Sequence, residues 1–215
     1  MDALQISYLR TPLTQFFSNA AGWGKAFLDN CNNNAGWMEP ETREILFNTA
    51  RLAADGLVVE IGSYQGLSTA YMAAGRKLRA TSGMQKMYCI DPFCDKDDTG
   101  GTNNRTDFYP IFIENMKRCQ VDDMINPVVA TSTEVVDLFN DQSIEVIFID
   151  GDHTAEGVQS DFDHYFPKVM VGGIMMFHDA AFEGPAKLLS ALDKDVRVQR
   201  VIAQNSMVGF LKVGI

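Results

Sequence analysis

The run Val58-Val59-Glu60-Ile61-Gly62-Ser63-Tyr64-Gln65-Gly66-Leu67-Ser68 has the makings of a ligand-binding turn: apolar residues, a carboxylate, then two glycines. Gly62 and Gly66 would let backbone approach a ligand where a Cβ would intrude. The spacing E-x-G-x-x-x-G differs from the phosphate-cradling G-x-G-x-x-G. Glu60 puts negative charge where a pyrophosphate would want none, so a cationic ligand fits better. Asp91, ahead of Pro92 in Tyr88-Cys89-Ile90-Asp91-Pro92, could accept both hydroxyl protons of a ribose, as acids do at this place in nucleotide-binding α/β folds. A third group comprises Asp150, Asp152 and His153 in Phe148-Ile149-Asp150-Gly151-Asp152-His153, with His178 and Asp179 in Met176-Phe177-His178-Asp179. Adjacent parallel strand ends lie about 5 Å apart, so Asp150 could meet the His178-Asp179 pair in one pocket. Converging oxygens suit Mg²⁺ or Mn²⁺, and an added imidazole leans towards Mn²⁺ or another transition metal. Asp152 or His153 could instead take a proton. His164, on a helix, is expected on a solvated face.

These residues need a scaffold that delivers several strand ends to one edge. From Leu57 onward short β-rich runs alternate with helix-compatible stretches, the rhythm of βαβ units around a mostly parallel sheet. Strands are expected at 57–62, 86–91, 125–130, 145–150 and 173–179, several of them apolar on successive residues, as strands covered on both faces should be. Helices are expected at 68–79, 107–119, 132–140 and 155–169, the third capped by Thr131 or Ser132. Runs at 197–203 and 207–213, separated by Gln204-Asn205-Ser206, read as an antiparallel hairpin. Residues 1–55 read as a helical cap, with helical spacing over 39–54, on a Rossmann-like, doubly wound α/β domain at 56–215. The polar, Gly-rich segment 95–105 should be a mobile surface loop.

The order and spacing of three segments resemble the class I S-adenosylmethionine-dependent methyltransferases. The nearest likeness is to the small-molecule O-methyltransferase group of cephalosporin-biosynthesis and sugar methyltransferases. The segments are Val59 to Thr69, Ile149 to Val158 with Asp161, and Pro167 through Gly172-Gly173 to His178-Asp179. The resemblance implies a seven-stranded sheet whose last strand inserts antiparallel, in agreement with the hairpin. It implies that Glu60, Gly62 and Gly66, with Ser63, Tyr64 and Ser68 of the same turn, surround the methionine portion of S-adenosylmethionine. Asp91 would hold the ribose, Ser132 would contact the adenine, and Asp150 would border the cofactor. It also implies a divalent metal, Mg²⁺ or Mn²⁺, on Asp150, His178 and Asp179, although relatives carry an acidic or amide residue in place of His178. A general base at Asp152 or His153 would take the proton of a small hydroxylated substrate.

The 215 residues carry 18 Lys+Arg and 28 Asp+Glu, a formal net charge of −10. With no basic cluster, this disfavours nucleic-acid partners and anionic membrane surfaces. The apolar runs are too short to span a bilayer, and the first residues do not read as a secretory signal. A cytoplasmic protein with four reduced cysteines is the expectation, and association into homo-oligomers stays open. Two other classes stand beside the enzyme reading: a non-catalytic S-adenosylmethionine-binding assembly or regulatory subunit, and an NAD-dependent oxidoreductase, which the glycine spacing disfavours.

Overall fold

The computed structural model describes residues 6, 8–17, 23–31, 34–54, 56–79, 86–94 and 107–215. The segment expected as a mobile loop, 95–105, lies outside them. Seven strands form one sheet: β1 (Leu57–Ile61), β2 (Met87–Asp91), β3 (Ile125–Val129), β4 (Ile144–Ile149), β5 (Val169–Phe177), β6 (Val198–Gln204) and β7 (Met207–Lys212). Their order is β3-β2-β1-β4-β5-β7-β6. The first five run parallel, and β7 inserts antiparallel between β5 and β6. This is the expected doubly wound sheet with its closing hairpin. Pro127 cannot donate to a ladder, and it lies in β3, at one edge of the sheet.

The helices among the described residues are α1 (Leu13–Phe17), α2 (Trp23–Cys31), α3 (Pro40–Leu52), α4 (Leu67–Arg79), α5 (Tyr109–Arg118), α6 (Ala155–Tyr165) and α7 (Glu183–Leu192). Because side chains alternate across a strand, the apolar runs feed two cores. Val58, Val146, Phe148, Ile174 and Met176 join Ile45, Leu46 and Phe47 of α3, Tyr71 and Met72 of α4, and Phe112 of α5. Val59, Ile61, Ile147, Ile149, Met175 and Phe177 meet Val158 and Phe162 of α6 and Leu188, Leu189 and Leu192 of α7. Each such large side chain contributes about 1.5–3 kcal/mol when fully buried, so the sheet's position is set from both faces. No described helix is long and apolar enough to cross a membrane.

Four expectations need correction. Residues 132–140 form no α-helix, only a short 3-10 turn at Val136–Leu138. The side chains expected to cap it are engaged otherwise: Thr131 donates through N–H and Oγ1 to Glu134, and Ser132 Oγ donates to Asp161. The helix expected over 155–169 ends at Tyr165, just before Pro167, and the chain re-enters the sheet at Val169. Lys212, 1% exposed, donates to the carbonyls of Phe166 and Val169 at this junction, 2.8 Å from each. Helix α7 was not anticipated, its start being masked by Gly184-Pro185. Finally, Cys31 at the end of α2 and Cys119 just beyond α5 are joined as a disulfide, their Cα atoms 5.7 Å apart, while Cys89 and Cys94 are free.

Candidate active site

A cavity of about 880 Å³ opens at the carboxyl ends of β1, β2 and β4, where the strand order reverses. Ligands of open α/β sheets bind at such a switch point. Gly62, Tyr64, Asp91, Ser132, Asp150 and Asp161 are among its walls. A smaller compartment of about 150 Å³ shares Gly62, Tyr64, Asp150 and His153 with it, and adds Ser63, Ser68 and the segment Ala35 to Met38.

The glycine turn is built as its residue types require. Gly62 and Gly66 have φ of +85° and +87°, a region that favours glycine. A Cβ on Gly62 would strike the Asp150 carbonyl, so the turn passes directly against the end of β4. Glu60 faces neither compartment. It is fully buried beneath the turn, accepting a hydrogen bond from Ser63 Oγ at 2.7 Å and another from Thr69 Oγ1. Burial pushes its carboxyl up to about 7, against the opposing pull of hydroxyl donors on Ser68, Thr69 and Ser63.

Asp91 turns its carboxylate back on the same turn. Oδ2 accepts the N–H of Tyr64 at 2.8 Å and Oδ1 that of Phe93 at 2.5 Å. Both contacts fix its orientation at the cavity wall. Across the cavity, Ser132 Oγ donates to Asp161 Oδ1 at 2.5 Å, and the Ser132 carbonyl accepts the Tyr165 hydroxyl at 2.8 Å. Tyr165 was not singled out from the sequence. It and Asp161 lie one helical turn apart on α6, so this i, i+4 pair was the available signal.

The third group converges. His153 Nε2 lies 3.0 Å from Asp179 Oδ2 and 3.4 Å from Asp150 Oδ1. His178 Nδ1 lies 3.3 Å from Asp150 Oδ1 and 3.4 Å from Asp179 Oδ1. The donor atoms of Asp150, His153 and Asp179 all lie within 4.8 Å of one another, a spacing that fits a divalent cation. Asp152 stands apart: its Oδ1 accepts the Thr154 N–H at 2.9 Å, and the side chain packs against Gly157 at the start of α6. Burial acts to raise the Asp150 pKa, but hydrogen bonds from His153 and His178 overcome it and hold the carboxyl below its usual range. The hydrogen bond to Asp150 raises the pKa of His153. Burial opposes charge on His178, yet Asp150, Asp179 and Glu39 raise its pKa too. His164 is exposed and bonded within its own helix, to the Ser160 carbonyl at 2.7 Å.

The chain is similar to known methyltransferases. A family model described as a methyltransferase domain matches residues 59–180. The uncharacterized protein R132 of Acanthamoeba polyphaga mimivirus is 30% identical over 124 residues, 56% of this chain and 50% of that relative, so the match spans half the relative's length. Among solved structures, a putative O-methyltransferase from Klebsiella pneumoniae superposes with a TM-score of 0.67 at 13% identity, covering 99% of this chain and 100% of that one. An O-methyltransferase from Bacillus cereus in complex with SAH gives 0.60 at 15%, covering 96% and 100%. The fold is that of the class I methyltransferases. By the match across more than half its length, the chain belongs to the methyltransferase-domain family.

Proposed function

We propose that this methyltransferase moves the methyl group of S-adenosylmethionine to a hydroxyl of a small molecule, assisted by a divalent cation. The observation that carries the reading is the meeting, at one sheet edge, of the glycine turn, Asp91 and the Asp150–Asp179 pair with its two imidazoles. Asp91, already oriented by two N–H groups, accepts the ribose hydroxyls. Ser132 borders the adenine. The aminoacyl end takes the smaller compartment, its carboxylate towards Ser68 and the amino end of α4, its ammonium towards Asp150. Glu60 supports the turn from below.

Bound there, S-adenosylmethionine supplies an electrophilic sulfonium methyl, and a cation such as Mg²⁺ or Mn²⁺ supplies Lewis-acid polarisation of the acceptor oxygen. Asp150 and Asp179 would hold the cation, and either imidazole can complete the set. Burial separates their roles. His178 is 5% exposed and locked on its far side, which suits a ligand. His153 has 40% of its side chain exposed, borders both compartments, and can pass a proton to solvent, so it takes the acceptor's proton. Asp152, tied to Thr154, shapes the loop that carries His153.

The test is methyl transfer to a panel of hydroxylated small molecules. EDTA should abolish turnover, added Mg²⁺ or Mn²⁺ should restore it, and cofactor binding should stay nearly intact throughout. Turnover that survives EDTA and Asp150→Ala but collapses in His153→Ala would leave general-base catalysis alone, worth about 10²–10⁴-fold, and would remove the cation from the account.

A further inference from the structure

The Cys31–Cys119 disulfide joins the end of α2 to the residue just beyond α5, and its two cysteines are 0% and 1% exposed. Asn34, itself 6% exposed, touches both halves of it: the Asn34 N–H donates to the Cys31 carbonyl at 3.1 Å, and Asn34 Nδ2 lies 3.7 Å from Cys119 Sγ. The same Nδ2 donates to the Gly66 carbonyl at 3.3 Å. Gly66 closes the glycine turn immediately before α4, and Ala35 to Met38, the residues that follow Asn34, wall the smaller compartment. One side chain thus stands between a disulfide and the place assigned to the aminoacyl end of the cofactor.

The neighbours of that side chain settle its orientation. A guanidinium can only donate, and Arg118 Nη2 lies 2.5 Å from Asn34 Oδ1. Nδ2, with two hydrogens, is left for the Gly66 carbonyl and for the Cys119 sulfur, a weak acceptor. A second amide, Asn115 Nδ2, holds the neighbouring Gln65 carbonyl at 2.8 Å. Reduction of the disulfide disturbs this arrangement. Two thiols keep van der Waals distance where a disulfide keeps a covalent bond, and a close-packed interior has no free room for the difference. Asn34, tied by its backbone to one cysteine and by its amide to the other, follows the sulfurs, and Gly66 loses a donor.

We propose that Asn34 is a positioning residue that carries the redox state of the Cys31–Cys119 pair to the glycine turn, so that the disulfide form binds S-adenosylmethionine and S-adenosylhomocysteine more tightly than the dithiol form. The proposal rests on the cofactor reading above. The reductant is a dithiol: one of its thiolates attacks a cysteine sulfur, the protein S–S bond breaks, and the second thiol of the reductant resolves the mixed disulfide. The protein gains two thiols, the reductant leaves as its own disulfide, and two electrons and two protons pass between them. Linkage makes the effect reciprocal, since a bound cofactor makes the disulfide harder to reduce by the same factor by which reduction weakens the cofactor.

The experiment uses the full chain, oxidised or reduced with dithiothreitol, its state counted by alkylation and mass spectrometry: two free thiols, Cys89 and Cys94, against four. Calorimetric titration with S-adenosylhomocysteine should show affinity about 3–10-fold lower in the reduced protein, the effect of one neutral hydrogen bond. In buffers of reduced and oxidised dithiothreitol, saturating S-adenosylhomocysteine should move the protein's midpoint to more negative potential by the matching amount, about 30 mV for a tenfold coupling. Asn34→Ala, and Asn34→Asp, which keeps Arg118 as a partner but has no hydrogen to give Gly66, should each bind as weakly when oxidised as the wild type does when reduced, and neither should show the midpoint shift. Equal affinity in the two states of the wild type overturns the proposal. So does a midpoint shift that persists in the Asn34 variants, including one that arises because the reduced chain unfolds. An oxidised wild type that binds no S-adenosylhomocysteine overturns the cofactor reading itself, and this proposal with it.

Discussion

Glu60 belongs to the glycine-turn motif, yet its side chain lines neither compartment. Its carboxyl lies under the turn, fully buried, with Ser63 and Thr69 as donors. With its pKa raised from 4.5 to about 7, the folded state holds a proton that the unfolded chain has released at neutral pH. The stability this contributes is fully present below about pH 4.5 and is lost as pH rises through about 7. A shift of this size corresponds to about 3 kcal/mol across the window. Glu60→Gln keeps an acceptor for Ser63 and Thr69 but cannot ionise. Denaturant melts between pH 4.5 and 8 should therefore show the variant gaining on the wild type as pH rises, and parallel curves would refute the buried-acid assignment. Histidine behaviour is equally local: among the described residues, His153 and His178 face the two carboxylates, whereas His164 is spent on its own helix.

Elements were legible where periodicity and punctuation agreed. Continuous apolar runs announced the parallel strands because both faces of the sheet are covered, and Gln204-Asn205-Ser206 announced the hairpin. The stretch 132–140 misled because Thr131 and Ser132 are helix-capping types spent on other partners. Helix α7 was hidden by the Gly184-Pro185 pair at its start. The motif residues themselves were legible, but Ser206 was not, since it is an ordinary polar residue in the turn between β6 and β7 until the fold brings its Oγ within 2.9 Å of His178 Nε2. The Cys31–Cys119 bridge spans 88 residues and leaves no spacing signal. The glycine turn supplies a prediction at this scale. At Gly62 a side chain would meet the backbone of Asp150 and Gly151 just beyond β4, which cannot move aside, whereas at Gly66 it would meet the flexible end of Met116 and, less closely, the Phe112 ring. Both would also adopt an unfavourable φ, worth about 1–2 kcal/mol. Gly66→Ala should cost about that much in denaturant melts, and Gly62→Ala clearly more. Equal losses would mean that close approach to β4 is not what Gly62 provides.

At the scale of the molecule, strand order brings the ends of β1, β2 and β4 and the segment just after β3 around the cavity, and thereby makes one site out of segments spread from Ala35 to Ser206. A cofactor that bridges these ends should stabilise the whole fold by mass action. At a hundred times its dissociation constant, S-adenosylhomocysteine should add about 2.7 kcal/mol, a rise in Tm of about 5–10 °C for a chain of this length. A thermal melt with and without the ligand reads this directly, and an unchanged Tm at saturating ligand would count against a site built from all of these strands.

The central claim, that this sheet edge is an S-adenosylmethionine site oriented by Asp91, is tested most directly by isothermal titration calorimetry of S-adenosylmethionine, S-adenosylhomocysteine and NAD with the wild type and Asp91→Ala. The account predicts that both sulfur ligands bind one per chain and that NAD does not. Asp91→Ala should weaken binding at least tenfold, since hydrogen bonds to a charged acceptor are worth about 1.5–3 kcal/mol each and the anchor of the Tyr64 N–H is lost with them. Tight binding of NAD, or full affinity for S-adenosylmethionine in a folded Asp91→Ala protein, would contradict it.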